Sequence, residues 1–244
     1  MKTILITGAS SGIGAATAQA FLADGWLVGL LARRETRLNK IADGHKNAVP
    51  LVADVQDADA MQAAFDRFIT RAGHLDVLFN NAGIFGPSGP IDEIPIEAFD
   101  TVTSVNIRGM FIAARLAFGQ MRAQSPQGGR IINNGSLSAH NPRPGSVCYT
   151  TSKHAITGLT RCLSLDGRAF DIACGQIDIG NARTELVEDL NRRALKADPT
   201  ADLMPMMDVE NAARSVLHMA NLPLQANVQF MTVLATKMPY IGRG

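Results

Sequence analysis

Tyr149 and Lys153, in the stretch "CYTTSK", stand four residues apart, and Tyr149 is one of only 2 tyrosines in 244 residues. On a helix that spacing puts both side chains on one face. A phenol with a pKa of about 10 is a weak proton donor near neutral pH, and an ammonium one turn away favours its ionised form. The pair therefore reads either as a general acid with a cationic helper or as the ordinary start of a surface helix.

A second signal is the loop "TGASSGIG", in which Gly8, Gly12 and Gly14 enclose Ser10, Ser11 and Ile13. Glycines allow a tight turn, let backbone approach a pyrophosphate, and let a helix sit close to its strand. The N-terminus of the following Ala-rich helix offers free N–H groups and a positive dipole end to phosphates. The spacing Gly-x3-Gly-x-Gly differs from the commoner Gly-x-Gly-x2-Gly, but an apolar strand precedes it and a helix follows, as a dinucleotide loop requires.

About 20 residues further on, an acidic residue would hold the ribose 2′-hydroxyl of NAD. The chain instead reads "LLARRETR", with Arg33 and Arg34 after Ala32. No carboxylate stands at that strand end, and guanidinium groups suit phosphate. The alternative is a solvated basic helix start; NADP(H) is the preferred reading, with NAD(H) possible.

These residues need a scaffold. Short apolar runs over 3–7, 27–31, 48–52, 76–80, 130–134, 171–177 and 228–233 alternate with helical stretches near 13–24, 35–42, 57–72, 97–123, 147–168 and 208–220. Strands that are apolar throughout suit a parallel sheet covered on both faces, and regular alternation predicts a Rossmann-type doubly wound α/β fold of about seven strands. Residues 1–244 read as one domain. Residues 84–95 and 180–207 break the rhythm after the fourth and sixth strands, where ligands of open α/β sheets bind. Both are candidates for the walls and lid of a substrate pocket.

The bulk properties exclude several classes. A net charge of +1 leaves no electrostatic footprint for nucleic acid or an anionic membrane. The cysteines, Cys148, Cys162 and Cys174, lack metal-ligand spacing and read as reduced, buried small hydrophobes. No metal site is expected. Neither a signal peptide nor a run of about 18 apolar residues is present, so a soluble cytoplasmic protein is expected.

Taken together, the chain resembles the short-chain dehydrogenase/reductase family from Thr3 to about Thr184. Landmarks appear in the family's order: "TGASSGIG" for TGxxxGxG, Asp54 in "ADV", "NNAG" from Asn80 to Gly83, Asn106 in "SVNIRG", Ser136 thirteen positions before Tyr149, and "YTTSK" for YxxxK. The resemblance implies that Tyr149 is the general acid and that Ser136 donates to the substrate oxygen. It implies that Lys153 bonds the nicotinamide ribose and lowers the tyrosine pKa. A pKa lower by about 3 corresponds to about 4 kcal/mol. Asn106 would hold a water for proton resupply. Asp54 and Val55 would meet the adenine, Asn81, Ala82 and Gly83 the adenine ribose, and Gly180, Ala182 and Thr184 the nicotinamide. The family's size class implies a homodimer or homotetramer.

The sequence departs from the family in places. Gly135 replaces the first of two usual serines, which is expected to matter little; Ser138 is a fallback for Ser136 but reads better as a loop hydroxyl. Ile179-Gly180 replaces Pro-Gly, with Thr184 keeping its spacing. Asp178 reads as a turn-capping carboxylate at a strand end. Tyr240 is a packing or subunit-contact residue, and the tail "MPYIG" would suit a subunit contact. His140, His154, Arg143, Arg192–Arg193 and "LMPMM" could face a substrate, but read as surface groups and as a helix packing its methionines. The expected activity is NADPH-dependent hydride transfer with a small or medium carbonyl or alcohol. The alternatives are an idle NADP(H)-binding redox sensor and a same-fold epimerase or dehydratase.

Overall fold

A computed structural model describes residues 1–198 and 203–241. Seven strands form one sheet: β1 (Thr3–Thr7), β2 (Leu27–Ala32), β3 (Ala48–Val52), β4 (Val77–Asn80), β5 (Gly129–Asn134), β6 (Ile172–Ile179) and β7 (Phe230–Val233). Their order is β3-β2-β1-β4-β5-β6-β7, with every pairing parallel. The order reverses between β1 and β4, so a crevice opens there at the carboxyl ends of the strands. This is the Rossmann-like doubly wound fold expected from the strand–helix alternation.

Among the described residues, eight α-helices wrap the sheet: α1 (Gly12–Ala23), α2 (Glu35–Ala42), α3 (Ala58–Ala72), α4 (Ile96–Thr103), α5 (Met110–Ala123), α6 (Val147–Asp166), α7 (Glu185–Ala197) and α8 (Val209–Asn221). Because side chains alternate along a strand, Ile4 and Ile6 face one core with Phe21 of α1 and Val216 of α8, while Leu5 faces the other with Phe68 of α3 and Ala113 of α5. Both faces of the central strands are thus dry, which is why β1, β2 and β4 are apolar along most of their length. Among the described residues, no helix is long and apolar enough to cross a membrane.

Four details differ from the sequence expectations. The helix expected over 97–123 is split by a π-helical turn, Ser104–Gly109, between α4 and α5. The sixth strand runs on to Ile179, so Asp178 lies inside it. Residues 203–207, "LMPMM", are not helical: Met207 bridges to Ala182 in parallel, and Met206 Sδ accepts from Asn191 Nδ2. Cys148 and Cys174 are buried, but Cys162 is exposed. The buried stripe of α6 runs through Cys148, Ser152, Ile156 and Thr160, and Cys162 falls on the opposite face.

Candidate active site

The glycine loop turns from β1 into α1 at the sheet's carboxyl edge. Gly8 and Gly12 have φ of 68° and 53°, a left-handed conformation open to residues without a Cβ. A Cβ on Gly14 would overlap the Gly8 carbonyl, and one on Gly12 would press on Thr184 Cγ2 at 3.2 Å. The second contact brings the segment after β6 across the loop. Asn81 ties β4 to the loop, accepting nothing from Thr7 but donating Nδ2 to Thr7 O (2.9 Å) while its backbone N–H donates to Thr7 Oγ1 (2.8 Å). Ala82 N also donates to Thr7 Oγ1, and Gly83 passes close to Asn106 Oδ1. Val55 is buried and packs where Gly109 has no side chain. Ile13 packs against the core from the loop. Gly180 N donates to Val233 O at 2.8 Å, and Ala182 is buried.

The two arginines after β2 behave differently. Arg34 donates from Nε and Nη2 to Ser10 Oγ (3.1 and 2.8 Å) and from Nη2 to Ser11 Oγ (2.7 Å), so its guanidinium lies over the loop. Arg33 is 3.6 Å from Asp54 Oδ2. The end of β2 carries no carboxylate, as read from the sequence, yet the chain after β3 brings one beside Arg33. Arg37 is paired with Glu185 of α7 at 2.8 Å, linking α2 to the segment after β6.

On the other side of the crevice, Ser136 follows β5 and Tyr149 and Lys153 lie on the first turns of α6. The Ser136 side chain faces the Tyr149 phenol closely enough to lower its pKa. Ser136 Oγ also accepts from Ser138 N at 3.1 Å. Lys153 is 3% exposed; its Nζ donates to Asn134 O at 2.8 Å and lies 5.5 Å from the Tyr149 ring centre. Phe85 packs edge-on against Tyr149 with ring centres 4.6 Å apart. Asn106, in the π turn, is fully buried; its Oδ1 accepts from Ile84 N, and its Nδ2 donates to Ile84 O and Ser152 Oγ. π turns recur at functional sites because the extra residue re-aims a side chain.

Electrostatics correct one expectation. Burial pushes the Tyr149 phenol up to about 12, opposed by the Ser136 hydroxyl and the Arg143 charge and reinforced by Asp178. Lys153 is not among the causes. Burial pushes its own ammonium down to about 8, with Asp178 pulling the other way. In the protein alone, then, desolvation outweighs the charge pairing anticipated from the spacing.

Two further readings change. Asp178 is a buried strand carboxylate that accepts from Ser136 N (2.8 Å), so the turn it serves is the one after β5 and not the one after its own strand. Gly135 matters because a Cβ there would overlap Asp178 Oδ1. Ser138 is buried and serves Ser136 through its backbone. His154 sits on the α6 surface, its Nδ1 against Thr150 O. Arg192 pairs with Asp189 on exposed α7; the Arg193 side chain lies outside the described residues. Tyr240 packs with Leu137 and Met238 beside the site. Phe85, Asn134 and Ser152 were not singled out in the sequence. Ser152 had a signal, its place within "YTTSK"; Phe85 and Asn134 act through contacts that spacing does not encode.

Comparison with known proteins identifies the family. The short chain dehydrogenase family model matches residues 2–195. The 2-(R)-hydroxypropyl-CoM dehydrogenase of Xanthobacter autotrophicus is 34% identical over 221 residues, 87% of each chain. Sulfoacetaldehyde reductase 2 of Chromohalobacter salexigens is 29% identical over 97% of this chain and 95% of its own. The closed form of serine dehydrogenase complexed with NADP+ shares the fold with a TM-score of 0.89, at 22% identity and over 99% of this chain and 98% of that one. The chain belongs to the short-chain dehydrogenase family, oxidoreductases of alcohol and carbonyl groups that use a nicotinamide cofactor.

Proposed function

We propose that this protein reduces a small or medium carbonyl compound with NADPH, using Ser136, Tyr149, Lys153 and Asn106. The observation that carries the reading is geometric: the Tyr149 ring lies 5.5 Å from the Nζ of buried Lys153, one helical turn away and beside Ser136, across the crevice from the glycine loop.

The cradle suits a dinucleotide. Gly8, Gly12 and Gly14 let the loop close on itself, on the chain after β4 and on Thr184, where a Cβ would collide, and Ser10, Ser11 and Ile13 supply loop groups for the pyrophosphate. Arg34, with Arg33 beside it, offers a guanidinium fork to a 2′-phosphate. Asp54 and Val55 would hold the adenine, Asn81, Ala82 and Gly83 its ribose, Lys153 the nicotinamide ribose, and Gly180, Ala182 and Thr184 the nicotinamide amide. Bound there, the reduced cofactor supplies hydride to the carbonyl carbon, and the chain's own residues manage the oxygen.

A phenol whose proton is held up to about 12 stays protonated at neutral pH, the form a donor must have. An alkoxide is more basic than a phenolate, so transfer from Tyr149 Oη runs downhill. Ser136 Oγ accepts from Ser138 N, which leaves its own hydrogen to donate to the same oxygen as charge develops. The Asn106 side chain is spent on Ile84 and Ser152. Asn106 would hold, through its main chain, a water that returns a proton to Lys153. The segment 180–207, whose residues 199–202 lie outside those described, walls the substrate side through α7 and the Arg37–Glu185 link. The Arg143 charge reaches Tyr149, and one relative is named for sulfoacetaldehyde, an anionic carbonyl; anionic substrates therefore belong in any test. Exposed Phe111 on α5, beside an apolar groove lined by Phe65 and Phe118, supports self-association as a homodimer or homotetramer.

The test is NADPH oxidation against neutral and anionic aldehydes and ketones, with NADH in parallel. Tyr149→Phe is expected to lower kcat by roughly 10²–10⁴-fold while leaving NADPH binding intact. Undiminished turnover in that variant would remove Tyr149 as the acid.

A further inference from the structure

Asp178 is the charged side chain nearest Ser136 that the proposed reaction leaves without a task. It lies on β6 in register with the end of β5, where Asn134 pairs with Ile177. Its side chain is 1% exposed. Oδ1 accepts from Ser136 N and from Gln176 Nε2, both at 2.8 Å, and Oδ2 meets His140 Nε2 at 2.9 Å. Gln176 is itself fixed from α6: Nε2 donates to Thr157 Oγ1 (3.1 Å) and Oε1 accepts from Thr160 Oγ1 (3.1 Å). Three elements thus converge on one carboxylate, and the room for it exists because residue 135 has no Cβ.

A neutral side chain could close a turn here without the desolvation that a buried carboxylate suffers. What the side chain at 178 supplies is an acceptor oxygen for a backbone N–H with a second polar atom left for His140, a geometry that asparagine can copy. That N–H belongs to Ser136, whose hydroxyl accepts from Ser138 N and faces the Tyr149 phenol. We propose that Asp178, admitted by Gly135 and capped by His140, is a positioning residue that fixes the Ser136 main chain and so aims the Ser136 hydroxyl at the Tyr149 phenol. The proposal rests on the reductase reading for its consequence in turnover, not for the contact itself.

A double-mutant cycle on the full chain tests it, with NADPH-dependent kcat/KM as one readout. Asp178→Ala should lower kcat/KM at least about tenfold when Ser136 is present and less than about twofold in a Ser136→Ala background. Asp178→Asn keeps an acceptor for Ser136 N and Gln176 Nε2 and a donor for His140, and should stay within about threefold of the parent. Gly135→Ala should reproduce the Asp178→Ala loss and add nothing to it. Equal losses in both Ser136 backgrounds would overturn the proposal, assigning Asp178 to general folding. Hydrogen exchange of the Ser136 amide gives a readout free of turnover: exchange at least about tenfold faster in Asp178→Ala, and unchanged in Asp178→Asn, is expected. If the parent reduces no carbonyl at all, the reductase reading fails, and the amide exchange alone upholds or overturns the positioning contact.

Discussion

Arg130 and Asp178 are both buried charges on neighbouring strands, at opposite ends of the sheet. Arg130, at the start of β5, is 1% exposed. Its guanidinium donates to Asn227 Oδ1 and to the carbonyls of Leu222, Pro223 and Ala226 at 2.9–3.2 Å. Every acceptor is neutral, and burial lowers the arginine pKa from a value so high that the charge persists. Asp178, near the end of β6, meets a backbone N–H, an amide and a histidine, and its field reaches Tyr149 and Lys153. One end holds a fixed charge among groups that cannot titrate; the other gathers groups that exchange protons. Burial serves stability at the first end, and sets proton affinities at the second.

The largest expected difference is thermodynamic. Arg130→Met strands four acceptors in the loop between α8 and β7, and should lower unfolding free energy by about 3 kcal/mol or more. The urea midpoint measures it. Turnover per folded molecule should not change, because the loop lies at the end of the sheet remote from the crevice. A matching fall in kcat/KM would erase the distinction between the two ends.

The next effect should exist only at the carboxyl end. A lysine moved from 10.5 to about 8 binds fewer protons folded than unfolded between those values, so stability rises with pH across that window. Below it, the buried ammonium costs on the order of 3 kcal/mol. Cys174 and Tyr149, both pushed up to about 12 by burial, act in the opposite sense above about 9 and 10. They are common to the parent and to Lys153→Met, so the difference between the two proteins isolates the lysine. The parent should gain on the variant from pH 8 to 10.5, by urea unfolding at each pH; Arg130→Met should show no such pH-dependent gap. A flat difference for Lys153→Met would mean that its ammonium is well solvated.

The same contrast explains what could be read from the sequence. Strand limits were legible to within two residues because a sheet covered on both faces demands apolar runs, and 27–31 became Leu27–Ala32 with little change. The glycine loop, Ser136, Tyr149 and Lys153 were legible because each is fixed locally, by a turn or by helical spacing. The π turn was not: one extra residue in a long helix hardly disturbs its periodicity, so the pattern over 97–123 looked continuous. Gly135 and Asp178 were misjudged because neither means anything without its partner, and the partner arrives by strand register from 43 positions away. The direction of the Tyr149 shift was missed for a related reason. Spacing shows the cation beside the phenol, whereas burial depends on Phe85 and the rest of the folded wall.

Arg34 provides the smallest and most discriminating change, since it is an arginine at the functional end that is exposed. It resembles Arg130 in bonding neutral oxygens, here the hydroxyls of Ser10 and Ser11, but those oxygens have water as an alternative. Arg34→Ala should therefore shift stability by less than about 1 kcal/mol. Its consequence should be confined to the 2′-phosphate: KM for NADPH rising about tenfold, the worth of one charge-assisted contact, with KM for NADH unchanged. If both constants rose together, Arg34 would be bracing the glycine loop through Ser10 and Ser11, and cofactor preference would have to come from Arg33, where Asp54 stands 3.6 Å away to weaken it.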